Sequence, residues 1–180
     1  NALPPESMGL AIAGLPTRAA LTLATDPRSS VQILRAMAEI HPDREVQTAV
    51  VSNGATTPEL LAVIAKSGGS PEVRALVALD PRTDRTAAET ALADPRVSAA
   101  VMDGGAEIPE WVVSPALRLN VTGMGAGQCA RLLSHPAVTP ETLEGLMQLG
   151  IPTVSRAAAT SPNAPPQLLR TWILSLDVGS

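Results

Sequence analysis

Two neighbouring stretches decide the fold of this chain: Pro-Glu-Leu-Leu-Ala-Val-Ile-Ala at residues 58–65 and Ser-Pro-Glu-Val-Arg-Ala-Leu-Val-Ala at residues 70–78. In each, a proline occupies the first helical position, where no N–H is needed, and a glutamate in the first turn complements the helix dipole. The Thr or Ser before the proline can cap the free amides. Each stretch therefore predicts a short helix, and the two helices follow one another directly.

The same phrase, a cap residue and a proline followed by apolar residues, recurs along the chain. Further copies start at Asp94-Pro95, Ile108-Pro109, Ser114-Pro115, Thr139-Pro140 and Pro165-Pro166. The copies form two families of helix start, and within a family the period is near 25 residues, as from Val73 to Val97 or from Pro140 to Pro166. Such a period is typical of helical-repeat proteins. Helices of this length are unstable alone, because helix nucleation is costly, so they must stack on one another. The sequence predicts an all-α, irregular helical-repeat solenoid of about six units.

The predicted organisation is a single helical-repeat domain over residues 1–180. Terminal segments should differ from the repeats between them, because each covers an otherwise open end. The predicted parts are an N-terminal cap at 1–16, regular repeats at 17–102, an irregular unit with a glycine-rich loop at 103–130, and repeats with a C-terminal cap at 131–180.

The two opening stretches resemble the leucine-rich repeat variant family, which is related in build to HEAT and armadillo arrays. The resemblance covers residues 17–102 well and 135–175 loosely. It implies two-helix units of roughly 24 residues in a right-handed superhelix. It also implies a scaffold for interaction, with no particular chemistry. One class in the family carries an iron–sulfur cluster on a cysteine-rich segment, a feature that a chain with Cys129 alone cannot share.

Composition excludes several classes of protein. Charged residues make up 17 % of the chain and the net charge is −4, so no electrostatic footprint for nucleic acid or an anionic membrane is visible. No apolar run approaches the roughly 20 residues of a membrane span. One cysteine excludes an intrachain disulfide and is compatible with a cytoplasmic location, which we expect. No signal peptide is visible at Asn1.

Residues that could carry chemistry do not form a catalytic or metal-binding pattern. His41 and His135 lack the local spacing of a metal site, and each is predicted to end a helix, where an imidazolium favours the dipole. Cys129 is expected to be a buried small hydrophobe. The Gly-x-Gly-x-Gly at Gly123–Gly127 follows no strand and lacks the rest of a phosphate-binding fingerprint, so a flexible loop is favoured. We predict no enzyme activity, no cofactor and no metal.

Two arginines are candidate contacts for a partner. Arg74 and Arg118, together with Arg18 and Arg156, lie near the starts of second helices and would form a line of cations in a stack. They could meet carboxylates or phosphates of a partner. The alternative is that they bond to carbonyls and to acids such as Asp94 in the neighbouring repeat.

The other candidates are Trp111 and Asn120. Trp111 lies beside the irregular unit and serves either packing or partner contact. Asn120 is either a satisfied buried amide or a sign that its helix faces a groove. Trp172, the second of the two tryptophans, lies in an apolar stripe and is predicted to be core.

These observations favour a non-catalytic protein–protein interaction scaffold that recognises a partner along one face. Nucleic-acid binding by a HEAT-like array is an alternative, but it would need a continuous basic surface. An assembly or regulatory domain of a larger protein is another. The oligomeric state stays open.

Overall fold

A computed structural model describes residues 5–67 and 69–177 of the chain, and all of the regular structure there is helical. The prediction of an all-α fold is therefore confirmed for these residues. They form a 3-10 turn at Val121–Gly123 and thirteen α-helices: α1 (Pro5–Ala13), α2 (Thr17–Thr25), α3 (Val31–Ile40), α4 (Arg44–Ser52), α5 (Pro58–Ser67), α6 (Pro71–Leu79), α7 (Arg85–Leu92), α8 (Pro95–Asp103), α9 (Glu110–Asn120), α10 (Ala126–Leu133), α11 (Pro140–Met147), α12 (Pro152–Ala159) and α13 (Pro166–Asp177).

Helix starts follow the cap chemistry that the sequence displays. The Ser70 side chain accepts a hydrogen bond from the Val73 N–H, and Pro71 takes the first position of α6. Asp84 caps α7 in the same way, with its Oδ1 2.7 Å from the Ala87 nitrogen. Such caps satisfy amides that a helix leaves without internal partners.

Two local predictions need correction. Ser114-Pro115 does not start a helix, because Pro115 lies inside α9 and the helix continues past it on the buried side chains of Val112, Val113 and Ala116. The segment Gly123–Gly127 is a loop only at Met124 and Gly125. Gly123 ends the 3-10 turn and Gly125 is the N-cap of α10, where its N–H donates to the Gln128 side chain over 3.1 Å.

The described residues group into two compact units that divide between Ala100 and Val101. In the first unit α1, α3, α5 and α7 pack successively in one row, α2, α4 and α6 pack in a second, and adjacent helices join the rows. In the second unit α12 packs against α10, α11 and α13. The most extensive packing is thus between a helix and its next or next-but-one neighbour, as in repeat proteins. The single domain over residues 1–180 and the right-handed coiling stay predictions.

Small side chains let these helices approach closely. Ala20, Ala24 and Ala88 are fully buried, as are larger residues such as Leu34 and Leu60. Each fully buried leucine stabilises the fold by about 1.5–3 kcal/mol relative to an exposed one.

The turns that follow α2, α4, α6, α10 and α12 share one hydrogen-bond design. Asp26, Asn53 and Asp80 lie 27 residues apart, a slightly longer period than the sequence suggested. In each turn the side-chain oxygen accepts the backbone N–H two residues later, over 2.8 Å. In the second unit His135 Nδ1 and Ser161 Oγ accept the equivalent N–H over 3.1 Å. Asp, Asn, His and Ser can therefore all accept the same backbone hydrogen bond in these turns.

Side chains of these turns also donate to backbone carbonyls about one repeat earlier. In the first unit Asn53 Nδ2 donates to the carbonyls of Ala24, over 2.7 Å, and Asp26, over 2.9 Å. The Arg82 guanidinium donates to the carbonyls of Val51, over 2.6 Å, and Asn53, over 2.8 Å. We call these bonds, with their equivalents in the second unit, the turn ladder.

The second unit continues the turn ladder with different donors. His135 Nε2 lies 2.8 Å from the Ile108 carbonyl, and Asn163 Nδ2 donates to the His135 carbonyl over 2.8 Å. If His135 Nδ1 accepts the Ala137 N–H, Nε2 is the nitrogen that donates to the Ile108 carbonyl. His41 has the same arrangement, with Nδ1 3.3 Å from the Asp43 nitrogen and Nε2 3.4 Å from the Leu15 carbonyl. Both histidines thus contact a carbonyl about one repeat earlier, and their role as imidazolium ions on helix dipoles stays a prediction.

We expect Arg82→Ala to lower the free energy of unfolding by about 2 kcal/mol, because carbonyls of the preceding repeat lose a charged donor. Urea denaturation followed by helical circular dichroism measures this. Arg28→Ala is the matched control, since Arg28 takes the same place two repeats earlier and is exposed, so its loss should stay within about 0.5 kcal/mol. Equal effects of the two substitutions would contradict the stabilising role of the turn ladder.

The Asp80–Arg82 pair also predicts a pH dependence. Burial raises the pKa of the Asp80 carboxyl, but hydrogen bonds from the Arg82 side chain and backbone outweigh burial and lower the pKa overall. The carboxylate therefore stabilises the fold above the usual pKa of aspartate, and this stabilisation is lost as the pH falls through the folded-state pKa.

Asp80→Asn tests this dependence, since Asn53 shows that an asparagine makes the same turn. The variant should lose less unfolding free energy than the parent between about pH 7 and pH 3, measured by urea denaturation at each pH. Parallel stability curves would show that the Asp80 charge contributes nothing.

Candidate functional site

Arg74 lies in an ion pair of the first unit. Its Nη2 is 2.5 Å from Asp94 Oδ2, and its side chain is 16 % exposed. Asp94 also pairs with Arg96, over 3.0 Å. Hydrogen bonds from Arg96, and then from Arg74, hold the pKa of the Asp94 carboxyl well below its usual range. Asp94 is one of the acids that the sequence offered as an alternative to a partner, and a contact from Arg74 to a partner stays a prediction.

The other three predicted contacts lie together on α9, in the second unit. Trp111 is in the first turn and is 38 % exposed. Arg118 is exposed in the last turn and lines a cavity of about 310 Å³ between α9 and α11. Asn120 ends the helix and is buried, with 7 % of its surface exposed. Their roles in binding stay predictions.

A larger cavity of about 550 Å³ lies among α11, α12 and α13, and we call it the α13 groove. Sequence reasoning did not find it. Polar residues of its lining include Gln148, Ser155 and Ser175. The lining residues on which the argument below depends are Glu144, Met147, Pro152, Leu168, Thr171 and Trp172.

Local sequence explains how the walls of the α13 groove form. Helix α11 ends at Met147, and the chain reverses through Gly150, whose φ of +67° favours glycine. Pro152 then starts α12. The Met147 carbonyl accepts hydrogen bonds from the Gly150 N–H, over 3.2 Å, and from Ser155 Oγ, over 3.5 Å. This short turn leaves the end of α11 beside α13.

Trp172 is half-buried and lines the α13 groove, whereas the sequence predicted a core residue. Leu168, one turn earlier on the same face of α13, is buried. Leu169 and Ile173 lie on the next face and are both exposed. The apolar stripe of α13 is therefore wider than the surface that α12 covers. That excess width is the signal in the sequence that could have indicated a groove.

The described residues offer no constellation for covalent or metal chemistry. They contain no group of three or more His, Cys, Asp or Glu side chains placed to hold a metal ion. Cys129 is fully buried, and burial raises the pKa of its thiol, which disfavours the reactive thiolate. The His135 ring belongs to the turn ladder, and the His41 ring lies 3.4 Å from the Leu15 carbonyl. The α13 groove can therefore act through shape, apolar contact and charge.

Within residues 5–67 and 69–177, the helices are too short and insufficiently apolar to cross a membrane.

Comparison with known proteins gives one result. Residues 18–81 match the family model of the Leucine Rich Repeat Variant domain, a stretch that runs from α2 through α6 and lies inside the predicted range of 17–102. No curated protein and no solved structure matches the chain. The resemblance predicted from the proline-initiated helices is thus confirmed, and residues 18–81 are similar to a leucine-rich repeat variant domain.

Proposed function

We propose that this protein is a non-catalytic scaffold that binds a segment of a partner protein in the α13 groove. The observation that carries the proposal is a cavity of about 550 Å³ with mainly apolar walls and a half-buried tryptophan, on a helical-repeat fold. The size lies within the range of roughly 300–1,000 Å³ in which proteins bind ligands.

The lining of the α13 groove suits a peptide segment. Leu168, Met147 and Trp172 offer apolar contact, and a partly exposed tryptophan is the side chain most often found at interaction hot spots. Gln148 and Thr171 are exposed at the groove and can exchange hydrogen bonds with a peptide backbone. Apolar contact with a few hydrogen bonds around it is the usual make-up of a protein interface.

The turn ladder fixes the groove before a partner arrives. Just ahead of α13, Ser161 Oγ donates to the Leu133 carbonyl over 2.7 Å and Asn163 Nδ2 donates to the His135 carbonyl. The turn between α12 and α13 is therefore bonded to the end of α10. A preformed site loses less conformational entropy on binding, so more of the contact energy appears as affinity.

The predicted contacts on α9 fit this proposal as a secondary region. Arg118 lines the cavity on one side of α11 with Thr142 and Leu146, whereas Glu144 and Met147 line the α13 groove on the other side. A partner that crosses α11 would reach both cavities. Contacts through Arg74, Trp111 and Asn120, and the cytoplasmic location, stay predictions.

Selection of a phage-displayed peptide library on the immobilised protein tests the function. We expect enriched peptides whose affinity falls at least about tenfold in Thr171→Arg, because a long charged side chain would fill the α13 groove. Isothermal titration calorimetry of the synthetic peptides measures the change.

Thr90→Arg is the matched control. Thr90 is exposed on α7 and, like Thr171, bonds its hydroxyl to the carbonyl four residues earlier. Its substitution should leave the affinities unchanged. A library without enrichment, or peptides that bind Thr171→Arg as tightly as the parent, would refute binding in the groove.

A further inference from the structure

We propose that the α13 groove recognises an arginine or lysine side chain, presented by a partner segment with apolar residues beside it. The inference rests on the proposed function and adds the chemical class of the partner. It is argued from the charge, the helix end and the aromatic surface that the groove brings together.

Charge gives the first argument. Glu144 is exposed and is the one charged residue in the lining of the α13 groove, as far as the described residues show. Arg156 lines a neighbouring cavity of about 410 Å³, which shares Pro152 and Trp172 with the α13 groove, but it is not part of the groove lining. A carboxylate at the rim of an apolar groove attracts a cation and repels an acidic segment.

The end of α11 gives a second, independent argument. Met147 is the last residue of this helix, and Gln148 and Gly150 follow it in the wall of the groove. The carboxyl end of a helix carries a partial negative charge, which stabilises a cation placed there. Glu144 lies one turn before this end, so the carboxylate and the helix dipole act in the same direction.

The apolar walls complete the match with a long basic side chain. Lysine and arginine carry an aliphatic stem that packs on apolar surface while the charged head stays near water. Pro152, Leu168 and Met147 can contact the stem, and Trp172, which also lines the groove, is a residue type that can bind the head through its indole ring. A purely apolar segment would cover the Glu144 carboxylate without giving it a partner, which costs free energy.

The whole chain favours the same partner. Its net charge is −4, so a basic segment is attracted at long range and an acidic segment is not. The cavity of about 550 Å³ is larger than one side chain requires, which leaves room for the apolar neighbours of the basic residue.

Four fluorescein-labelled nonapeptide libraries test the inference by fluorescence anisotropy. The central residue is fixed as Arg, Lys, Leu or Glu, and the other positions are randomised among Ala, Leu, Val, Ser and Gly. With the full chain, the Arg and Lys libraries should bind about fivefold to tenfold more tightly than the Leu library, and the Glu library most weakly.

Two glutamates of α11 provide the variant and its control. Glu144→Gln should reduce the preference for Arg over Leu to about twofold or less, without weakening binding of the Leu library. Glu141→Gln removes the same charge from the same helix at a residue outside the groove lining, and should keep the preference.

The outcomes separate the inference from the proposed function. If the Leu library binds as tightly as the Arg library and Thr171→Arg abolishes both, the groove binds partners and the inference is wrong. If Glu144→Gln and Glu141→Gln reduce the preference equally, overall charge explains it and the inference is also wrong. If none of the libraries binds, the groove has neither role.

Discussion

The structure depends on how short helices satisfy the carbonyl groups at their carboxyl ends. The last four carbonyls of any α-helix lack partners within the helix, and in α2 or α4, of nine residues each, they are a large share of the backbone. The turn ladder satisfies several of them with side chains from the next repeat, such as Asn53 on Ala24 and Arg82 on Val51. One set of bonds thus caps a helix and fixes the next repeat at the same time. Because each bond joins adjacent repeats, it also favours stacking over any packing between distant segments.

This constraint also explains why the second unit has a preformed groove. Ser161 and Asn163 are bonded to carbonyls at the end of α10 and in the turn after it, so the entry to α13 is held by contacts outside the groove. The side chains that line the groove are therefore not needed to stabilise the turn between α12 and α13. Trp172 can stay half-buried, because the fold does not depend on covering it completely. A surface with this freedom can keep apolar area for a partner, whereas a core position cannot.

Local chemistry made part of the fold predictable. The starts of α5 and α6 could be predicted because their capping groups lie within a few residues of one another. The same rule failed at Pro115, where burial of the flanking residues continues the helix through a local start signal. The role of His135 depends on the Ile108 carbonyl, 27 residues earlier, and no pattern near the histidine displays that contact. Three helices together form the α13 groove, so no local pattern in the sequence displays it. The unusual width of the apolar stripe on α13 was the one feature of the sequence that indicated it.

In the proposed function, stability and recognition therefore depend on different helix ends. The turn ladder covers the carboxyl ends of α2, α4 and α10 with donors from the following repeat. The end of α11 is closed locally instead, by the N–H groups of Gln148, Leu149 and Gly150 and by the Ser155 hydroxyl. Among the described residues, no side chain of the turn ladder bonds to the end of α11. The partial negative charge of that helix end therefore lies beside the groove, one turn from Glu144. A repeat protein that satisfied every helix end with arginine or asparagine side chains would gain rigidity and lose this site. In the proposed function, the negative end of α11 can serve recognition because the turn ladder does not bond to it.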